Sequence, residues 1–261
     1  MANYGIVVAN SYGDILIDGD YKNYFLHQKL TGSWNAVRTT LRGSSEVMSW
    51  VDLSFSNPLL TQEAPIICAV GVGKYVAAGV IGNAGNWTGV RLMTGLDSGD
   101  GSVSYIVHAY ALSDVAGFYD HSDYGIQVFN SSGEIVFDSR KYPMRIKHTN
   151  SVPTAIYDSP PEISIGDNVV PDMQLFGSVN SNYSSGGTRA TDFAYRMMAK
   201  RSGSTTYIQS RYSAYSSYTA SYEGEVPFAF AEDPLYEIYP GRQIASRGGK
   251  IPYTLVKDTP F

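Results

Sequence analysis

Tyr4-Gly5-Ile6-Val7-Val8-Ala9-Asn10-Ser11-Tyr12-Gly13-Asp14-Ile15-Leu16-Ile17-Asp18 returns later in the chain as Tyr124-Gly125-Ile126-Gln127-Val128-Phe129-Asn130-Ser131-Ser132-Gly133-Glu134-Ile135-Val136-Phe137-Asp138. Residue numbers differ by 120 throughout, and nine of the fifteen positions are identical. A pattern met twice constrains the chain to build two similar units. Each copy reads as strand, turn, strand. Ile6 and Val8 alternate with Val7 and Ala9, as Ile126 and Val128 alternate with Gln127 and Phe129. The position that tolerates Gln belongs to the less buried face, so the Ile and Val positions are expected to face a core. Asn10 to Gly13 and Asn130 to Gly133 make the turns, with Gly supplying a positive φ.

The echo continues downstream in the same order. Pro65 with Gly71 has a counterpart in Pro171 with Gly177, Arg91-Leu92-Met93 in Arg196-Met197-Met198, and Tyr105-Ile106 with Tyr110 in Tyr207-Ile208 with Tyr212. The offset shrinks steadily, as it does when loops differ in length and strands keep their order. A closing hairpin is expected in each copy: Trp87–Leu96 with Ser102–Ala111, and Phe193–Lys200 with Thr205–Ala214. The reading is all-β: two tandem antiparallel β-sandwich domains related by internal duplication, 1–118 and 119–225, joined near Asp114 to Asp123. An extended C-terminal arm, 226–261, follows. Its Pro227, Pro234, Pro240, Pro252 and Pro260 suit a segment that gains order against a neighbour. An edge strand packed on its own domain is the equal alternative.

Composition agrees. The 261 residues suit two ordinary domains, each expected to bury its own core. Tyr (21) and Gly (26) are abundant while charged residues are 16%, which leaves little material for amphipathic helices. The net charge of −5 without a basic cluster argues against nucleic acid as a partner. Cys68, the single cysteine, excludes an intramolecular disulfide and a cysteine-based zinc site, and suits a reducing compartment. The opening Met-Ala-Asn-Tyr-Gly has no basic, apolar leader, so no signal peptide is expected. The apolar run Pro65 to Gly82 is interrupted by Lys74 and four glycines, which suits two buried strands around Gly71-Val72-Gly73 and not a membrane span.

Several motifs fall short of the chemistry they suggest. Asp97-Ser98-Gly99-Asp100-Gly101 has the flavour of a calcium loop without the remaining ligands, and Asp18-Gly19-Asp20 reads as a turn. Gly71-Val72-Gly73-Lys74 lacks the spacing and the helix that a phosphate loop requires. His27, His108, His121 and His148 are isolated, and His108 becomes Ser210 in the second copy. No nucleophile elbow or paired carboxylates occur locally, so no catalytic, cofactor-binding or metal-ligating residue is assigned. The candidate surface is Tyr207, Tyr212, Tyr215, Tyr218 and Tyr222, interleaved with Ser, Ala and Thr. Tyrosine offers large contact area at low entropic cost and a hydroxyl that can bond protein or sugar. Core or inter-subunit packing is one reading of this stretch and glycan contact is the other.

Tyr124 to Ser139 resembles the Tyr-Gly-(Ile/Leu)-x-Val-x-Asn-x-x-Gly segment, ending in Phe and Asp/Ser-Ser, that recurs in small structural tail proteins of tailed bacteriophages. These are tail-tip, baseplate and fibre-associated components. Tyr4 to Asp18 matches it more loosely. The resemblance implies a non-enzymatic virion protein assembled in the host cytoplasm. Its expected partners are copies of itself and other tail proteins, with a host glycan or receptor as a further contact. It transfers no functional residue.

Overall fold

The computed structural model describes residues 7–9, 15–18, 23–40, 46–48, 50–95, 98–112, 125–153, 162–172, 177–183, 190–218 and 250–257. Nearly all of them lie in β-strands. No helix among them is long and apolar enough to cross a membrane.

The repeated segment forms two hairpins of the same design. Strands β1 (Val7–Ala9) and β2 (Ile15–Asp18) pair with Val7 opposite Asp18, Val8 opposite Ile17 and Ala9 opposite Ile15. Strands β11 (Gln127–Phe129) and β12 (Ile135–Asp138) pair Gln127 with Asp138, Val128 with Phe137 and Phe129 with Ile135. Every partner is displaced by 120, and the bulge falls at the same step in both. The second hairpin shows why its sequence takes this form. The Asn130 side-chain oxygen accepts from the Ser132 and Glu134 amides, which reinforces the backbone bonds from the Gly133 amide to the Asn130 carbonyl and from the Asn130 amide to the Glu134 carbonyl, and Gly133 takes a φ of 81°. Val128 is buried as expected; Ile126 is not, at 67% exposure. Ile126 lies before the strand begins, where its backbone is held by the Ser139 amide and hydroxyl instead of by the ladder.

The remaining strands join in one fifteen-stranded sheet system. Three antiparallel ribbons make most of it. In the first, β10 (Gly101–Leu112) runs between β3 (Tyr24–Ala36) and β7 (Ile66–Val72). In the second, β9 (Asn86–Thr94) runs between β6 (Trp50–Leu59) and β8 (Val76–Asn83). In the third, β17 (Ala190–Ser202) and β18 (Thr205–Tyr218) form a long hairpin flanked by β16 (Gly177–Tyr183) and β14 (Ile163–Asp167). Two short strands, β4 (Arg38–Thr40) and β5 (Glu46–Met48), extend it past β18.

The first two ribbons pack face to face. Phe55 and Leu59 from β6, Val80 from β8 and Val90 and Leu92 from β9 meet Ile67 and Ala69 from β7 and Val107, Ala109 and Ala111 from β10. Each large aliphatic side chain buried there contributes about 1.5–3 kcal/mol. The opposite face of β7 and β10 is buried as well. Cys68, Val70 and Tyr110 join Leu26 in a cluster with Val169, Val170, Met197, Ala199 and Ile208. Strand β7 therefore has both faces covered, which is why Ile66 to Gly71 is apolar without alternation. The two buried strands expected around Gly73 are both present. The second core draws residues from both sides of position 118, so the halves share packing as well as chain.

Two expectations are corrected. Strands β9 and β10 do not form a closing hairpin, because they line opposite walls of the same core and the chain crosses between layers instead of turning back within one. Lys74 secures that crossing: its Nζ donates to the Gly99 carbonyl at 3.1 Å and the Asp100 carbonyl at 2.9 Å, while Asp100 Oδ1 accepts from the Arg38 amide at 2.7 Å. The corresponding hairpin of the second half, β17 with β18, does form, through a tight turn at Gly203 with φ 60°. The C-terminal segment is the second correction. Strand β19 (Lys250–Lys257) is not the edge strand of the alternative reading; it pairs on one side with β13 (Ile146–Pro153) and on the other with β15 (Val169–Asp172), and the rest of 226–261 lies outside the described residues. The expected junction at Asp114 to Asp123 lies outside the described residues.

Candidate interaction surface

Of the tyrosines singled out in the sequence, Tyr207, Tyr212, Tyr215 and Tyr218 lie along β18, opposite Lys200, Tyr195, Phe193 and Ala190 of β17. Tyr222 lies outside the described residues. The strand is paired on both flanks at two of these positions, with Tyr207 opposite Ser164 of β14 and Tyr215 opposite Glu46 of β5. Tyr207 is half-buried.

Tyr207 belongs to a charged cluster that the sequence did not announce. Lys200 Nζ donates to Glu162 Oε2 at 2.7 Å and lies over two aromatic rings, 4.8 Å from the centroid of Tyr75 and 5.5 Å from that of Tyr207. The Arg211 guanidinium sits 4.3 Å over the Tyr75 ring, and the Tyr75 hydroxyl donates to the same Glu162 oxygen. Burial, followed by the bond to Glu162, pushes the Tyr75 hydroxyl above the ordinary tyrosine range. The bond from Lys200, then that from Tyr75, holds the Glu162 carboxyl below the usual carboxylate range. One carboxylate thus gathers a cation and a phenol on a π-rich bed, and the cluster ties Tyr75 of the first half to the long hairpin of the second. The tight turn at Gly203 places Lys200 and Tyr207 opposite each other. Glu162, Tyr75 and Arg211 arrive through non-local packing that no local spacing encodes.

The other charged motifs are committed to structure. Lys74 fastens the Gly99–Asp100 backbone, so the phosphate-loop and calcium-loop echoes are two sides of one internal contact. His27 Nε2 donates to the Asn57 carbonyl at 3.2 Å, and its ring meets Phe55 edge-on. His108 is fully buried beside Cys68, with its Nδ1 3.4 Å from the Tyr110 hydroxyl. Burial pushes the Cys68 thiol well up, which makes it a poor nucleophile. Among the described residues no group of three or more His, Cys, Asp or Glu is placed to hold a metal ion. His121 and Asp97 lie outside them.

A second set of contacts docks the repeated hairpin. Past β12 the chain runs back along β3: the Leu26 amide donates to the Tyr142 carbonyl and the Met144 amide to the Tyr24 carbonyl, both at 2.8 Å. The Asn23 side chain donates to the Val136 carbonyl at 3.0 Å, and Phe137 packs against Phe25 with ring centroids 5.9 Å apart. Compared with protein-family models, curated proteins and solved structures, the chain matches none of them.

Proposed function

We propose that this chain is a non-enzymatic structural component of a bacteriophage tail, in the tip, baseplate or fibre region. In this reading it assembles in the host cytoplasm as a homo-oligomer, joins other tail proteins in the virion and contributes to host attachment. The supporting observation is the hairpin at Tyr124 to Ser139. The residues that carry the resemblance to tail proteins, Gly125, Asn130, Gly133, Asp138 and Ser139, each shape or fasten that hairpin, and the chain after it is laid along β3. Such a module is a building part, and its use is in holding strands and neighbours together. Duplication of the whole domain belongs to the same proposal, and the shared register of the two opening hairpins supports it. The mass and symmetry of the purified chain, by sedimentation and electron microscopy, test the reading. A closed ring or trimer is expected; a chain that stays monomeric at high concentration and joins no virion particle would sink it.

A carbohydrate-binding module is the second reading, favoured by Tyr207 lying half-buried beside Lys200, which in turn pairs with Glu162. Replacing Tyr215 and Tyr218 together with Ala separates the two readings. Loss of glycan binding with assembly intact selects the lectin, and loss of assembly selects the structural part.

A further inference from the structure

The place of β19 in the sheet points to a partner. Seven residues of β19 are in register with β13, from Pro153 opposite Lys250 to Ile146 opposite Val256, and four are in register with β15, from Val169 opposite Lys257 to Asp172 opposite Thr254. The strand is thus clasped on both flanks by segments that precede it by roughly eighty to a hundred residues. In the strand order, β13 reaches the rest of the sheet through β19. The slot between β13 and β15 is filled by β19 through two registered ladders, the geometry by which strand addition recognises its partner. Residues 219–249, between β18 and β19, number 31, enough to span up to ~100 Å at full extension. That reach is about three times the ~30 Å breadth of a small domain.

We propose that in the assembled protein β19 is exchanged between copies, each chain inserting Lys250–Lys257 between β13 and β15 of its neighbour. The proposal rests on the homo-oligomer part of the function given above. Exchange leaves every ladder contact of β19 unchanged, so its cost is the cost of association alone. It converts an internal ladder of eleven registered pairs into an interface between subunits, and it makes the position of β13 depend on the neighbour's presence. Passed head to tail around a ring, the exchange closes with every slot filled.

Single cysteines placed on the two sides of the slot read this directly. Thr149 and Thr254 are in register, and cross-strand Cα atoms at ~4.5–5.5 Å lie within the range a disulfide bridges. One chain carries Thr149→Cys and a second, differently tagged chain carries Thr254→Cys; the two are co-expressed and oxidised. Cys68 stays in place, since it is fully buried. Exchange predicts a reducible species on a denaturing gel at twice the 28.5 kDa chain mass, carrying both tags. A single chain bearing both substitutions would then run as covalent multimers. If the doubly substituted chain forms its disulfide yet runs at the mass of one chain, while the native particle is oligomeric, exchange is overturned and the oligomer reading stands. If the chain is monomeric in solution, both fall. The adjacent pair Asn150→Cys and Tyr253→Cys repeats the measurement at the alternate ladder position, should the first pair perturb folding.

Discussion

Asp138 and Arg140 close on each other across a single intervening residue. The fully buried Asp138 carboxylate accepts from Arg140 Nε at 2.9 Å and from Nη2 at 2.7 Å, and it takes the Arg140 amide as well. Gln127, opposite in the ladder, donates to the other side of the carboxylate at 2.9 Å. The first hairpin has Asp18 at the equivalent position and Asp20 where the arginine would be, so the second hairpin alone has an arginine placed for this clamp.

The clamp sets an acid limit. The Arg140 bonds, chiefly, hold the Asp138 carboxyl well below the usual carboxylate range. A group whose folded value is depressed stabilises the fold above its unfolded value, about 3.9, and loses that contribution as pH falls toward the folded one. Asp138→Asn should therefore cost about 2 kcal/mol at neutral pH, the scale of a charge-assisted hydrogen bond, and should flatten the acid limb of stability below pH ~4. Denaturant unfolding of both proteins across the acid range checks this; parallel acid limbs would refute it.

Gly71 and Gly73 stand two residues apart and predict opposite severities. A Cβ on Gly71 would overlap the Lys74 carbonyl oxygen and come within 2.8 Å of Val76 Cγ1. Gly73 has a φ of 78°, but a Cβ there meets nothing within 4 Å. Gly73→Ala is expected to cost about 1 kcal/mol in backbone strain. Gly71→Ala must displace backbone at the junction where β7 meets β17, and the loss should reach about 3 kcal/mol or more. Chemical denaturation of the two variants side by side measures the difference.

The tie between the halves carries its own pH signature. Tyr75 titrates above the ordinary tyrosine range, so its contribution is intact below about pH 10 and is lost as pH rises beyond that. Glu162 behaves in the opposite sense, contributing above about pH 4.3 and fading below. Glu162→Gln removes the negative charge that, after burial, raises Tyr75, so the Tyr75 titration should move down toward that of free tyrosine. The difference in tyrosinate absorbance between each protein and its Tyr75→Phe derivative isolates that single ring. No downward movement would mean that burial alone sets it.

What the sequence disclosed and what it withheld divide by the range of the contact. The second opening hairpin was legible down to its turn, because Asn130 and Gly133 act within four residues of each other and the alternation of Val128 with Gln127 reads directly as a face, although Ile126 lies before the strand and is exposed. The β17–β18 hairpin was legible for the same reason. The matching expectation at β9 and β10 failed although the strands themselves are there, since apolar alternation says that a strand buries one face and not which layer it joins. Val90 and Val107 sit in one core on opposite walls, and nothing local distinguishes that from two strands side by side. The position of β19 was hidden by the same limit: a Pro-rich tail reads as an arm until β13 and β15 are known to flank it.

Arg201 and Arg91 make the last prediction, because both are arginines in strands and they should differ several-fold in effect. Arg91 pairs with Asp52 at 2.6 and 2.7 Å and stacks 5.3 Å over Trp50, but Asp52 is 46% exposed, so screening leaves little net gain. Asp52→Ala is expected to cost no more than about 0.5 kcal/mol. Arg201 is buried, and its Nη2 donates to the Val169 carbonyl at 2.9 Å, an oxygen that also receives the buried Thr206 hydroxyl at 2.8 Å. Its own carbonyl accepts from the Gly73 amide at 2.9 Å, so the residue joins β15, β17 and the turn after β7. Thr206 keeps Val169 partly satisfied when the arginine is cut back. The loss for Arg201→Ala should then be about 2 kcal/mol, from its charge-assisted bonding and the packing of the stem. Arg201→Lys should recover less than half of that, since a single ammonium cannot reproduce the guanidinium's spread of donors. Equal losses for Arg201→Ala and Asp52→Ala in denaturant unfolding would show that the joint between the halves is no firmer than the surface.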